Sequence, residues 1–80
     1  MKNVQGFLKI EPTRVGYASD GKFKASRFGG GEMYVAVSEI TAILPRVYGS
    51  QSSIVLRDGT VADVWESPDE VVEAIGRRYA

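Results

Sequence analysis

The sequence predicts an α+β fold: a small antiparallel β-sheet followed by one C-terminal amphipathic α-helix. Three observations carry this expectation. Runs rich in β-branched and aromatic residues, punctuated by Gly, Ser and Asp, fill most of the chain up to residue 66. Asp58-Gly59 divides two of these runs, SIVLR and TVADVWE, which is the strongest short-range hairpin signal. Ser67-Pro68-Asp69-Glu70 then opens a stretch whose apolar residues recur at helical spacing. Strands first and a helix last is the α+β order, with one face of the sheet against the helix.

The elements follow in chain order. Residues 5–11 alternate, with Leu8 and Ile10 on one side and Phe7, Lys9 and Glu11 on the other, and read as a short strand. Pro12 ends it, because proline has no amide hydrogen for a ladder. Residues 14–18 and 22–28 form the arms of a hairpin around Ser19-Asp20-Gly21. Gly29, Gly30 and Gly31 connect this β-rich N-terminal part (1–28) to the rest of the single domain: a connection over 29–32, a β-meander over 33–66 and a helix over 67–79. Residues 33–37 are a strand, Ser38-Glu39 a tight turn, and residues 40–48 a long apolar strand that Pro45 places at an edge, bend or bulge. A two-residue type I′ turn at Asp58-Gly59 pairs Leu56 with Val61, Val55 with Ala62 and Ile54 with Asp63. One face of that hairpin then holds Ile54, Leu56, Val61, Trp65 and Asp63, and the other holds Val55, Ala62 and Val64. In the helix, Ser67 caps, Pro68 suits the first position and Glu70 completes a capping box. Val71, Val72, Ile75 and Tyr79 form its apolar stripe, while Arg77 and Arg78 suit its C-terminal end.

From residue 33 to 75 the order MYVAVSEITAI, then SSIVLRDGTVADVWESPDEVVEAI, resembles the small flagellar and swarming-motility proteins of the FlbD type, and similar small phage and prophage proteins. The matching residues are Val37 to Ile43, Leu56 to Thr60 and Val64 to Val72. Ser38 stands where that pattern has asparagine, and the first 30 residues are an extension beyond it. The outline is also similar to the β-strand part of LytTR-type DNA-binding domains. The resemblance implies a strand, hairpin and helix order for the second half, and it does not bring a flagellar role with it.

Composition narrows the function classes. Eighty residues make one domain with a marginal core, which disulfides, metal or a partner subunit commonly reinforce. The chain has neither cysteine nor histidine, so the disulfide is unavailable and the usual zinc ligands are missing. No cofactor and no metal are expected. Without histidine or cysteine the remaining bases are carboxylates and lysines, no motif supports a Ser-Lys arrangement, and the expectation is a protein that is not an enzyme. Asp63 is the one acid whose strand position points among apolar residues, so it reads as a base with a raised pKa, as the partner of an arginine, or as a group at the open end of the face. Formal net charge is zero but segregated: residues 1–31 carry six basic against two acidic residues, and residues 32–80 carry four against eight. Such a chain suits contacts between copies, or a basic face presented to an anion. The first residues lack the apolar core of a leader and no run reaches the length of a membrane span, so a cytoplasmic protein without a membrane partner is expected.

The binding candidates are Lys24, Arg27, Phe28, Gly29, Gly30, Gly31, Arg46 and Tyr48, a set of bases, aromatics and a flexible loop suited to phosphate contact and stacking. The glycines do not lead into a helix and no Gly-Lys-Ser/Thr follows them, so they read as a connection rather than a phosphate loop. The leading expectation is a homo-oligomeric module that binds a protein partner. A phage-type protein that binds or sequesters a small nucleotide, with Arg27, Phe28 and the glycine loop at a subunit boundary, is the alternative, and a nucleic-acid contact is a further one that neutral charge disfavours.

Overall fold

The computed structural model describes residues 1–19, 22–26, 30–76 and 78–79. The strands are β1 (Lys2–Val4), β2 (Phe7–Ile10), β3 (Arg14–Ser19), β4 (Lys22–Ala25), β5 (Met33–Ala36), β6 (Ile40–Arg46), β7 (Gln51–Leu56) and β8 (Thr60–Val64). Helix α1 (Pro68–Gly76) follows, and a two-residue strand, β9 (Arg78–Tyr79), comes after it. The strands are distributed over two sheets, in the orders β5-β2-β1-β9 and β4-β3-β8-β7-β6. All pairings are antiparallel except β1 with β9, which is parallel. The α+β layout stands, with the core between the sheets. Leu8, Ile10 and Val35 come from the four-stranded sheet, Val15, Ile54, Ala62 and Val64 from the five-stranded one, and Val71 from the helix.

The predicted alternation in residues 5–11 is the inward face of β2: Leu8 and Ile10 are buried and Phe7 is exposed. Strand β1 has no strong pattern of its own. It pairs with β2 across Gln5-Gly6, both at positive φ (52° and 87°), as a two-residue hairpin loop of type I′ requires. Buried Asn3 locks this hairpin, because its Oδ1 accepts from the Gly6 N–H at 3.0 Å and its Nδ2 donates to the Ile75 carbonyl at 2.8 Å.

The 53–66 hairpin differs from the expected register by one residue. Ile54 pairs with Ala62, Val55 with Val61 and Ser53 with Asp63. Its loop has three residues, Arg57-Asp58-Gly59, not two. Asp58 is absent from the positive-φ residues while Gly59 lies at +93°, and the Gly59 N–H donates to the Leu56 carbonyl at 3.0 Å. A type I turn closed by a left-handed glycine is the other loop that Asp-Gly serves. The Asp58 carboxylate accepts from the Thr60 N–H at 2.9 Å and holds that geometry. Because side chains alternate, the shift moves Asp63 away from Ile54 and onto the outer face with Val55 and Val61.

The capping box forms as the sequence implies: the Glu70 N–H donates to Ser67 Oγ at 3.3 Å and the Ser67 N–H to Glu70 Oε1 at 3.2 Å. The helix ends at Gly76 rather than 79, and Val72 is exposed, so its inward stripe is Val71, Ala74 and Ile75. Asn3 takes up the Ile75 carbonyl near the end of the helix, and the chain then adds β9 to the open edge of β1. Arg77 lies outside the described residues. Strand β6 ends at Arg46 and is an edge strand, which accommodates Pro45, while its bulge falls between Ile40 and Ala42.

Candidate functional site

Among the described residues, the expected binding residues Lys24 and Arg46 stand far apart in the sheet order. Lys24 lies on β4 and Arg46 on β6, and these are opposite edges of the five-stranded sheet. Gly30 and Gly31 are exposed, at φ of +88° and +93°, with open space where a side chain would be. They belong to the passage from β4 in one sheet to β5 in the other, which suits a change of chain direction. Tyr48 is fully exposed in a 3₁₀ turn, Val47–Gly49, whose three residues all have positive φ. Arg27, Phe28 and Gly29 lie outside the described residues, as does the Asp20-Gly21 turn.

Arg46 does belong to a cluster, one built around Asp63. Pairing of β3 with β8 sets Arg14 opposite Asp63, and pairing of β7 with β8 sets Ser53 opposite it. Pairing of β6 with β7 sets Leu44 opposite Ser53, so Arg46, two residues on, shares the same outer face. The Asp63 carboxylate is 1% exposed. Its Oδ2 accepts from Arg14 Nε at 2.9 Å and lies 3.2 Å from Arg46 Nη1, and its Oδ1 accepts from the Ser53 hydroxyl at 2.6 Å. The Asp63 main-chain carbonyl accepts from the Thr13 N–H at 2.7 Å and from its hydroxyl at 3.2 Å. Of the readings open to Asp63, the structure gives it the arginine partners. Either arginine alone compensates the carboxylate, and only the loss of both would leave a buried charge without a partner.

The Arg14 guanidinium also stacks on Phe23, 4.2 Å from the ring centroid. Phe23 in turn lies over Gly16, where an added Cβ would strike its ring and the Lys24 carbonyl. Hence Gly16 admits the ring, the ring supports Arg14, and Arg14 and Arg46 meet over Asp63. Sequence reasoning left out Arg14, Phe23 and Ser53. Their link to Asp63 is carried by pairing over long sequence separations, and only the misplaced acid in the hairpin hinted at it.

Two open pockets flank the four-stranded sheet. One of about 330 Å³ lies among Lys9, Glu11, Glu32, Trp65 and Glu66. Two ion pairs cross its lining: Lys9 Nζ meets Glu32 at 2.9 Å and the Met1 amine meets Glu66 at 3.7 Å. The Glu32 hydrogen bond and charge hold the Lys9 ammonium above its ordinary pKa. The other, of about 340 Å³, is lined by Tyr34, Val35, Glu39, Leu56 and Asp58. The hydrogen bond from Thr60 holds the Asp58 carboxyl below its ordinary value. Among the described residues no group of acids is placed to hold a metal ion, and no helix is long and apolar enough to cross a membrane.

The outer face of the four-stranded sheet is a second feature. Val4, Phe7 and Ala36 stand in one cross-strand row, and Lys2, Lys9 and Tyr34 in the next. Phe7 is 50% exposed and Tyr34 58%, with Val4 exposed beside them. Comparison with known proteins adds no relative: no family model matches the chain, nor does any curated protein or solved structure.

Proposed function

We propose that this chain is a non-enzymatic interaction module of the cytoplasm that assembles with copies of itself and holds a protein partner. The observation that carries the reading is the row Val4–Phe7–Ala36 with Tyr34 beside it, an apolar and aromatic strip on the sheet face turned away from the core. Full burial of one large apolar side chain is worth about 1.5–3 kcal/mol, so covering Phe7 and its neighbours rewards association. A second copy is the occupant that fits. Lys2 rims the strip, beside a Lys9 already paired with Glu32, while residues 32–80 hold the excess of acid, so the basic first part of one copy suits the acidic second part of another.

Sedimentation velocity up to about 100 μM, ample for a self-affinity near 10 μM, tests this. A mass above one 8.7 kDa chain is expected, and Phe7→Ser is expected to return the monomer with its melting temperature little changed. A monomer throughout the range refutes self-assembly. An oligomer untouched by Phe7→Ser refutes the assignment of this face.

A further inference from the structure

We propose that Arg14 and Arg46 form a phosphate-binding fork on the outer face of the five-stranded sheet, with Asp63 beneath it as the group that sets their orientation. Neutralising Asp63 needs one guanidinium, and the fold supplies two. The cluster therefore keeps a net positive charge. Both Asp63 oxygens are engaged, Oδ1 by Ser53 and Oδ2 by the two arginines, which holds the buried carboxylate in place beneath them.

Both arginines open to solvent, Arg14 at 51% and Arg46 at 34% side-chain exposure. Among the described residues, Arg14 is held through Nε and by the Phe23 ring, and Arg46 through Nη1. The remaining N–H groups of two planar forks, fixed in advance, are left to a ligand, and fixed donors bind more tightly than free ones. Two forks call for a group with more than two acceptor oxygens. A carboxylate satisfies one fork, whereas a phosphate can bridge two. Among the described residues, the outward strand positions beside the arginines include Gly16, Phe23, Ala42, Leu44, Gln51 and Val55, and Asp63 is the one acid on that face of the strands. This site is independent of self-assembly through Phe7, and a monomer binds phosphate equally well.

Titration of the ¹⁵N-labelled protein at low salt, with inorganic phosphate and separately with adenosine monophosphate, tests the proposal through the arginine Nε–Hε signals. Saturable shifts at Arg14 and Arg46 are expected, and Arg46→Lys is expected to weaken affinity at least about tenfold. Lysine keeps the charge over Asp63 and so preserves the fold, which the amide spectrum verifies. Arg57→Lys is the control, because Arg57 lies on the hairpin loop, 3.5 Å from Glu39. Equal affinity for the two probes identifies the phosphate group alone as the ligand, and tighter binding of the nucleotide adds a base contact. Shifts without saturation up to about 50 mM phosphate, far weaker than a millimolar site, overturn the proposal and leave the cluster purely structural. Equal losses from Arg46→Lys and Arg57→Lys overturn it as well, since they indicate general attraction to positive charge.

Discussion

Gly16→Ala is expected to destabilise the fold, although alanine normally improves on glycine in a strand. A Cβ at residue 16 would sit 2.7 Å from Phe23 Cε2 and closer still to the Phe23 ring tip and the Lys24 carbonyl oxygen. The ring can swing, but the carbonyl is backbone of β4, the strand paired with β3 at that point. The edge strand must lift, or the peptide must turn. Overpacking of this kind costs about 1–3 kcal/mol, against about 0.5–1 kcal/mol gained by replacing glycine with alanine in an element. The clash wins by about 1–2 kcal/mol, to which a displaced Phe23 adds the lost stack on Arg14. For a domain of this size each kcal/mol moves Tm by about 4–8 °C, so a fall of roughly 5–15 °C is expected in thermal unfolding at fixed protein concentration. Gly76→Ala is the matched comparison. Gly76 has open space around its Cβ position and no positive φ, so the same chemical change there is expected to stabilise by up to about 1 kcal/mol. In a Phe23→Ala background, Gly16→Ala should do less harm, since only the carbonyl clash remains. A Gly16→Ala protein as stable as the parent, or stabilised as at Gly76, refutes the packing of Phe23 on Gly16 and with it the support drawn for Arg14.

Two further outcomes follow from local chemistry. Ser67→Ala removes the acceptor of the Glu70 N–H and opens the capping box, and is expected to cost about 0.5–2 kcal/mol in urea unfolding; an unchanged midpoint would mean that the cap adds nothing. Asp58, held low by Thr60, is expected to titrate below its ordinary 3.8 when followed by NMR. A carboxyl depressed on folding stabilises above the unfolded value, and that contribution disappears as pH falls through the folded one. Asp58→Ala should therefore flatten part of the acid limb of stability against pH, and a folded pKa at or above 3.8 would contradict the bond.

What the sequence made legible was local. The capping box needs four consecutive residues, and Ser67 to Glu70 supply all of them. Alternation in residues 5–11 needs only the period of a strand, and Leu8 and Ile10 are buried as it implies. The strands β1 and β9 were missed because they are made by partners: Asn3 meets Arg78 across nearly the whole chain, and no pattern within either segment announces it. Val72 was misjudged because the helix turns Val71, Ala74 and Ile75 to the core, and Val72, about 100° round from Val71, is left outside that stripe. The hairpin register is the instructive case. Asp-Gly serves a two-residue loop and a three-residue loop alike, and the choice decides which face receives every side chain. The two-residue register leaves a carboxylate among Ile54, Leu56 and Val61. The three-residue register puts it where Arg14 and Arg46 can reach. A buried charge without a partner is among the costliest errors a fold can contain, so Asp63 itself discriminated between the loops. Weighed at that cost, the one acid that fitted badly would have selected the register, and the register would have pointed to the outer face on which the arginines meet.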